Sequence, residues 1–116
     1  SLYQVARGIG GRMIIAITKF QLPSPITPDE AKQIFLSTAP TYQGVQGLFR
    51  KHYVLWEDRK TVGGIYLWNS RAEAEATYTE CWKAFVRDKY GSEPSVTYFD
   101  SPVLVDNIAG EIISDE

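Results

Sequence analysis

The run Thr61-Val62-Gly63-Gly64-Ile65-Tyr66-Leu67-Trp68-Asn69-Ser70-Arg71-Ala72-Glu73-Ala74 changes its period midway, and that change decides the fold. In its first part Ile65 and Leu67 alternate with Tyr66 and Trp68, so a strand over Thr61 to Asn69 carries large apolar groups on both faces. Ser70, with Glu73 three residues on, is a capping box. It opens a predicted helix to about Tyr90, whose apolar face carries Ala74, Tyr78, Cys81, Trp82 and Phe85. Gly91 closes that helix. A strand with two apolar faces, followed at once by an amphipathic helix, implies a sheet that helices cover on one side only.

Working outward, Asp58-Arg59-Lys60 is a polar turn, and Leu48 to Glu57 is a strand rich in Phe, Tyr, Val and Trp. So short a link makes the two strands an antiparallel hairpin. Gly44 and Gly47 bracket the loop before it. Further upstream, Thr27 as cap, Pro28 at the first helical position and Glu30 start a helix. Ala31, Ile34, Phe35 and Thr38 form its inner face, and Pro40 is expected to end it at Ala39. Met13 to Phe20 is a β-branched, apolar strand. Ser95 to about Leu104 is the fourth strand, with Pro102 marking an edge or a bend.

The order β-α-β-β-α-β predicts an α+β, ferredoxin-like sandwich: a four-stranded antiparallel sheet with two helices on one face. Another two-layer α+β packing remains open. The domain is expected over residues 13–107. Residues 1–12, with Gly8, Gly10 and Gly11, read as a flexible N-terminal extension or an appended remnant, and residues 108–116 as an acidic tail. The glycines form no nucleotide loop, because G-x-G-x-x-G fails at its last position and precedes a strand.

Composition narrows the chemistry. The 116 residues make one domain with a real core. A net charge of −2 gives no footprint for nucleic acid, and the longest apolar run, Met13 to Ile17, is far too short to span a membrane. One Cys, Cys81, allows no internal disulfide and fits a reducing, cytoplasmic setting. With one His, His52, neither a Cys/His zinc site nor a conventional nucleophile triad is on offer. Aromatic residues nonetheless reach 13%, so the chain is poor in reactive groups and rich in rings.

The two-faced strands place those rings. Ile15, Ile17, Ile65 and Leu67 are assigned to the helix side. The aromatic and mixed sets, including Tyr66, Trp68, Thr18 and Phe20, are assigned to the open face. An uncovered patch of this kind is a partner surface or a ligand cavity, and two sheets facing each other in a homodimer would cover it.

Val62 to Ala74 also resembles the GGIYLW-SRAEAEA signature of the YdhR-type mono-oxygenase family, in the dimeric α/β-barrel (antibiotic-biosynthesis mono-oxygenase-like) superfamily. Lys19-Phe20-Gln21-Leu22-Pro23, Gly47-Leu48-Phe49-Arg50-Lys51, Tyr98-Phe99-Asp100-Ser101-Pro102 and Val105-Asp106-Asn107 agree with it. Gln46 departs from it, where relatives often have Pro. The resemblance implies a ferredoxin-like protomer, a homodimer with face-to-face sheets, one cavity per protomer, and oxygenase chemistry without metal, flavin or haem.

Thr18, Phe20, Lys51, Tyr53, Tyr66, Trp68 and Phe99, with Thr97, are the parity-based candidates for the cavity lining. Lys51 and Tyr53 share a strand face with Phe49 and Leu55. Lys51, His52 and Tyr66 are the candidate catalytic groups: Lys51 to stabilise a phenolate, His52 as a base near neutrality, Tyr66 as a hydrogen-bonding wall. The plainer readings are a snorkelling lysine, a solvated histidine and interface packing. Cys81 and Trp82 read as core, and Arg71, Glu73, Glu75 and Glu80 as a solvated helix surface. The expectation is a cofactor-independent mono-oxygenase for a small electron-rich aromatic or polyketide-like molecule, bound between sheet and helices or between dimer sheets. No cofactor, metal, nucleic acid or membrane is expected. A dimeric binder of a hydrophobic metabolite, or an isomerase or lyase in the same pocket, are the rivals.

Overall fold

The computed structural model describes Tyr3 and residues 12–115. In chain order these form β1 (Ile14–Gln21), α1 (Pro28–Tyr42), β2 (Leu48–Leu55), β3 (Thr61–Trp68), α2 (Arg71–Thr77), α3 (Glu80–Tyr90), β4 (Ser95–Asp100), β5 (Val103–Asp106) and β6 (Glu111–Ser114). The first four of these strands that pair into one sheet do so antiparallel in the order β2-β3-β1-β4, the ferredoxin-like arrangement. The glycines at 8, 10 and 11 lie outside the described residues. Tyr3, in the expected N-terminal extension, is buried, donates to Asp106 Oδ2 (3.1 Å) and accepts from Arg50 Nε (2.6 Å).

Local chemistry sets the helix starts. Thr27 Oγ1 accepts from Glu30 N, and Glu30 Oε1 accepts from Thr27 N, both at 3.1 Å. Thr27→Ala should therefore cost about 1 kcal/mol, read as a lower urea midpoint at unchanged slope. Ser70 Oγ accepts from Glu73 N (3.2 Å), and the Glu73 carboxylate accepts in turn from Ser70 Oγ and Asn69 Nδ2. Glu73 is thus a half-buried strut and not a solvated surface residue.

Four expectations are corrected by the structure. Helix α1 runs through Pro40 to Tyr42; so near a C-terminus, the missing proline N–H removes little of the ladder. The single helix expected to Tyr90 is two, because Thr79 Oγ1 accepts from Trp82 N and starts a second one after Tyr78 leaves helical geometry. Cys81 consequently points outward and is exposed. The fourth strand divides at Ser101-Pro102, and part of the expected tail returns as β6 to pair with β5, turning where Asp106 Oδ1 accepts from the amides of Ile108 and Ala109.

The fourth correction concerns the faces. The period-2 alternation holds, but the helices cover the aromatic set. Ala16, Tyr66 and Trp68 pack with Ala74 and Tyr78 in one core cluster, flanked by Tyr42 and Trp82. The ring-bound polar atoms pair with each other: Trp68 Nε1 donates to Tyr78 Oη at 3.0 Å. The opposite face carries Ile15, Ile17, Ile65 and Leu67. It is covered partly by Tyr3 and by Leu104 and Ile113 of the β5-β6 hairpin. Among the described residues no helix is long and apolar enough to cross a membrane.

Candidate functional site

Strand β2 brings the first functional groups to the helix side. Its register sets Lys51 opposite Tyr66 and Tyr53 opposite Gly64. A bulge between Leu48 and Arg50 puts two residues against one, so Phe49 turns to the other face and packs against Tyr3. It does not share a face with Lys51 as the simple alternation implies.

Gly64 makes the room. A Cβ there would lie 2.7 Å from Tyr66 Cε1 and 3.0 Å from Lys51 Cε, so the ring and the lysine stem occupy the space a side chain would take. Its amide donates to Thr18 Oγ1 at 3.0 Å, which holds that buried hydroxyl in place. From above, α1 contributes Phe35, Thr38 and Tyr42, and α3 contributes Trp82, Phe85 and Tyr90. Together with Phe20 these groups enclose a cavity of about 30 Å³, space for a water or two.

At its centre lies Lys51. Its Nζ is 3.4 Å from the centroid of the Tyr42 ring, 3.7 Å from that of Tyr53 and 4.7 Å from that of Tyr66. No carboxylate of the described residues pairs with it. Burial without an anionic partner disfavours the ammonium and lowers the Lys51 pKa to about 7. The surrounding phenols move the other way. Burial, then the neighbouring Tyr42, holds Tyr66 well above the ordinary phenol value. Burial also raises Tyr53, opposed in part by Thr38, and pushes Tyr90 up to about 12. The Tyr53 and Thr38 hydroxyls are hydrogen-bonded at 2.8 Å, and Trp82 Nε1 donates to Tyr42 Oη at 3.0 Å. The arrangement offers an amine that changes charge near neutral pH, ring faces that tolerate a cation, and phenol protons.

Of the sequence-predicted residues, Thr18, Phe20, Lys51, Tyr53 and Tyr66 come together around this cavity. Trp68 faces the same way but stands behind Tyr66, stacked at 6.1 Å with 9° between the rings. Phe99 and Thr97 lie on the opposite sheet face, opposite Ile15 and Ile17, and do not reach the cavity. Assigning Phe99 to it fails on the register of β4 against β1, which alternation within β4 does not fix. His52 also lies on that far side, opposite Ile65, exposed and away from Lys51 and Tyr66. Tyr42 and Tyr90 were not anticipated. For Tyr42 the signal was present: Phe35, Thr38 and Tyr42 are three and four residues apart, a single helix face, hidden by the expected stop before Pro40.

A wider, shallower depression of about 600 Å³ lies between Arg50, Asp106, Ile108 and Glu111 on the far face. Its polar groups already satisfy each other through Tyr3, which bridges Arg50 and Asp106, so the enclosed cavity is the better chemical site. Among the described residues no group of His, Cys, Asp and Glu side chains is placed to hold a metal ion.

The sequence matches no protein-family model, and no curated protein matches it. Solved structures do resemble it. One is a monooxygenase from the gene ActVA-Orf6 of Streptomyces coelicolor in complex with nanaomycin D, with TM-score 0.60, 14% identity, and 82% of this chain and 92% of that chain covered. Another is SnoaB, a cofactor-independent oxygenase from Streptomyces nogalater, with TM-score 0.56, 16% identity, and coverage of 78% and 93%. At such identities the likeness is one of fold.

Proposed function

We propose that the protein is a mono-oxygenase that works without a bound redox group on a small, electron-rich phenol. The observation that carries this reading is the Lys51 amine, held without a carboxylate inside a cage of three tyrosine rings. With its pKa near 7, much of that amine is neutral at physiological pH and can take a phenolic proton. The resulting ammonium then stands beside the phenolate it created. The phenolate supplies electrons to dioxygen: a carbon–oxygen bond forms at the ring, and the peroxide takes the proton held on Lys51. The O–O bond then breaks. One oxygen stays as the new quinone carbonyl, and the other leaves as water with the ring hydrogen. The two structural relatives described as oxygenases support this reading through their shared fold.

A substrate ring needs more room than the closed cavity has. Helices α1 and α3 bound its mouth, tied to each other by Trp82 Nε1 to Tyr42 Oη and by the exposed Lys89 Nζ to Ser37 Oγ (3.1 Å). Half-exposed Phe85 stands between. Parting there admits the ring and closing excludes water from the intermediate.

The test is oxygen uptake by the purified protein with 1-naphthol and anthrone, without added cofactor. Uptake equimolar with product, and label from ¹⁸O₂ in the new carbonyl, is the expected result. Binding without uptake would make the protein a carrier. Turnover in the absence of oxygen would make it an isomerase or lyase.

A second copy would cover the part of this sheet face that the β5-β6 hairpin leaves open, where Ile17 and Ile65 are half-buried and Phe99 is 48% exposed. Sedimentation should therefore give a dimer at micromolar concentration, and Phe99→Asp should shift it to monomer. A wild-type monomer under those conditions would remove this part of the proposal.

A further inference from the structure

We propose that Lys51 is also a covalent carbonyl-capture site, whose Nζ condenses with a small aromatic aldehyde, admitted where α1 and α3 part, to form a Schiff base. This goes beyond the oxygenase reading and needs neither oxygen nor an electron acceptor. Nucleophilic attack requires a free lone pair, and the cage supplies the conditions for one. The amine lies in an enclosed apolar site, contacts ring faces, and has no carboxylate to hold a proton on it. Its low pKa agrees with that geometry.

The atoms balance simply. The nitrogen lone pair forms a C–N bond as the carbonyl π pair moves to oxygen, which takes a proton from the nitrogen. The carbinolamine hydroxyl then leaves as water with the second nitrogen proton, giving a C=N bond. The hydrogen-bonded Thr38 and Tyr53 hydroxyls line the same cavity.

The remaining lysines provide an internal control. Lys19, Lys60 and Lys32 belong to the strand, turn and helix surfaces, and Lys83 and Lys89 engage Glu80 and Ser37. At pH 7 an ordinary exposed lysine is neutral in only about one molecule in 2,500. The full chain, under argon at pH 7, is treated with benzaldehyde and sodium cyanoborohydride, and the products are mapped by peptide mass. The expected result is a benzyl group on Lys51, introduced at least about tenfold faster than on any other lysine. In Lys51→Arg, which keeps a cation in the cage but no nucleophile, only the slow surface labelling should remain. Labelling of Lys51 no faster than of Lys32 or Lys60, or an unchanged rate of mass gain in Lys51→Arg, would overturn the proposal. Because the assay is anaerobic and contains no phenol, its failure leaves the oxygen-uptake test standing, and the reverse also holds.

Discussion

Gly63→Ala is expected to abolish folding. Gly63 lies within β3, with β1 and β2 on either side, and a Cβ added there would come 1.8 Å from the Thr18 carbonyl oxygen and 2.7 Å from its carbonyl carbon. Those are backbone atoms in the middle of the sheet, so no side-chain rotation relieves the overlap. Either β1 and β3 part or the strand reverses its local pleat. Both break the pairing that holds Ala16 opposite Tyr66 and Ile14 opposite Trp68, and with it the aromatic core. The cost should exceed about 4 kcal/mol, among the largest single-residue effects, and circular dichroism should show no cooperative thermal transition. The adjacent Gly64→Ala provides the contrast. Its Cβ would meet side-chain atoms of Tyr66 and Lys51, so the chain should still fold while the cavity is deformed. If Gly63→Ala melts within a few degrees of wild type, the close approach of β1 at this position is wrong.

Lys51→Met is expected to lower oxygen uptake about a hundredfold or more, while making the protein more stable near neutral pH. The substitution keeps the apolar stem and removes the group that burial disfavours. The sign of the pH effect follows from linkage. The Lys51 pKa falls from an ordinary lysine value to about 7 on folding, so between pH 7 and about 10 the unfolded chain binds more protons and stability rises with pH. Below about 7 the amine is charged in both states and the destabilisation is felt in full. Wild-type melting temperature should therefore climb from pH 7 to 9, and Lys51→Met should remove that climb. The groups facing the amine do not obscure this window. Tyr53 and Tyr66 are raised by burial, as is Tyr90 beyond them, Tyr42 completes the cage, and no carboxylate pairs with the amine. Wild-type activity should rise through pH 7 for the same reason, as the base is unmasked. Equal uptake by the two proteins would remove Lys51 from the chemistry; parallel melting curves against pH would show that its ammonium is not disfavoured by burial.

Strand order and alternation were legible because period-2 patterning in Thr61 to Trp68 and in Ile14 to Phe20 is set locally by the pleat. The same parity correctly grouped Thr18, Phe20, Tyr53 and Tyr66 on one side. Which side the helices take is not a local property. It depends on which residues of other elements pack on the sheet: here Ala74 and Tyr78 meet Ala16, Tyr66 and Trp68. Phe99 departs from that grouping because of register: β4 sets it opposite Ile15, on the face away from Thr18 and Tyr66. Phe49 was displaced by a bulge that alternation alone does not reveal. The division after Tyr78 was written in Thr79, a second capping residue inside a run otherwise suited to one helix. The tail strand had no such cue: Glu111 to Ser114 gains its regularity from pairing with Val103 to Asp106, a contact made only after Pro102 turns the chain out of the main sheet.

The bond from Trp82 to Tyr42 at the mouth of the cavity has an optical consequence. Trp68 is fully buried and stacked on Tyr66, and Trp56 lies under Lys19 outside the cavity. Trp82 is the indole that lines it. A ligand that parts α1 from α3 releases the Trp82 N–H from its acceptor and changes the polarity around that one ring. Intrinsic emission thus carries a built-in reporter of cavity occupancy. Entry rates can be followed with unlabelled protein, before any product is known.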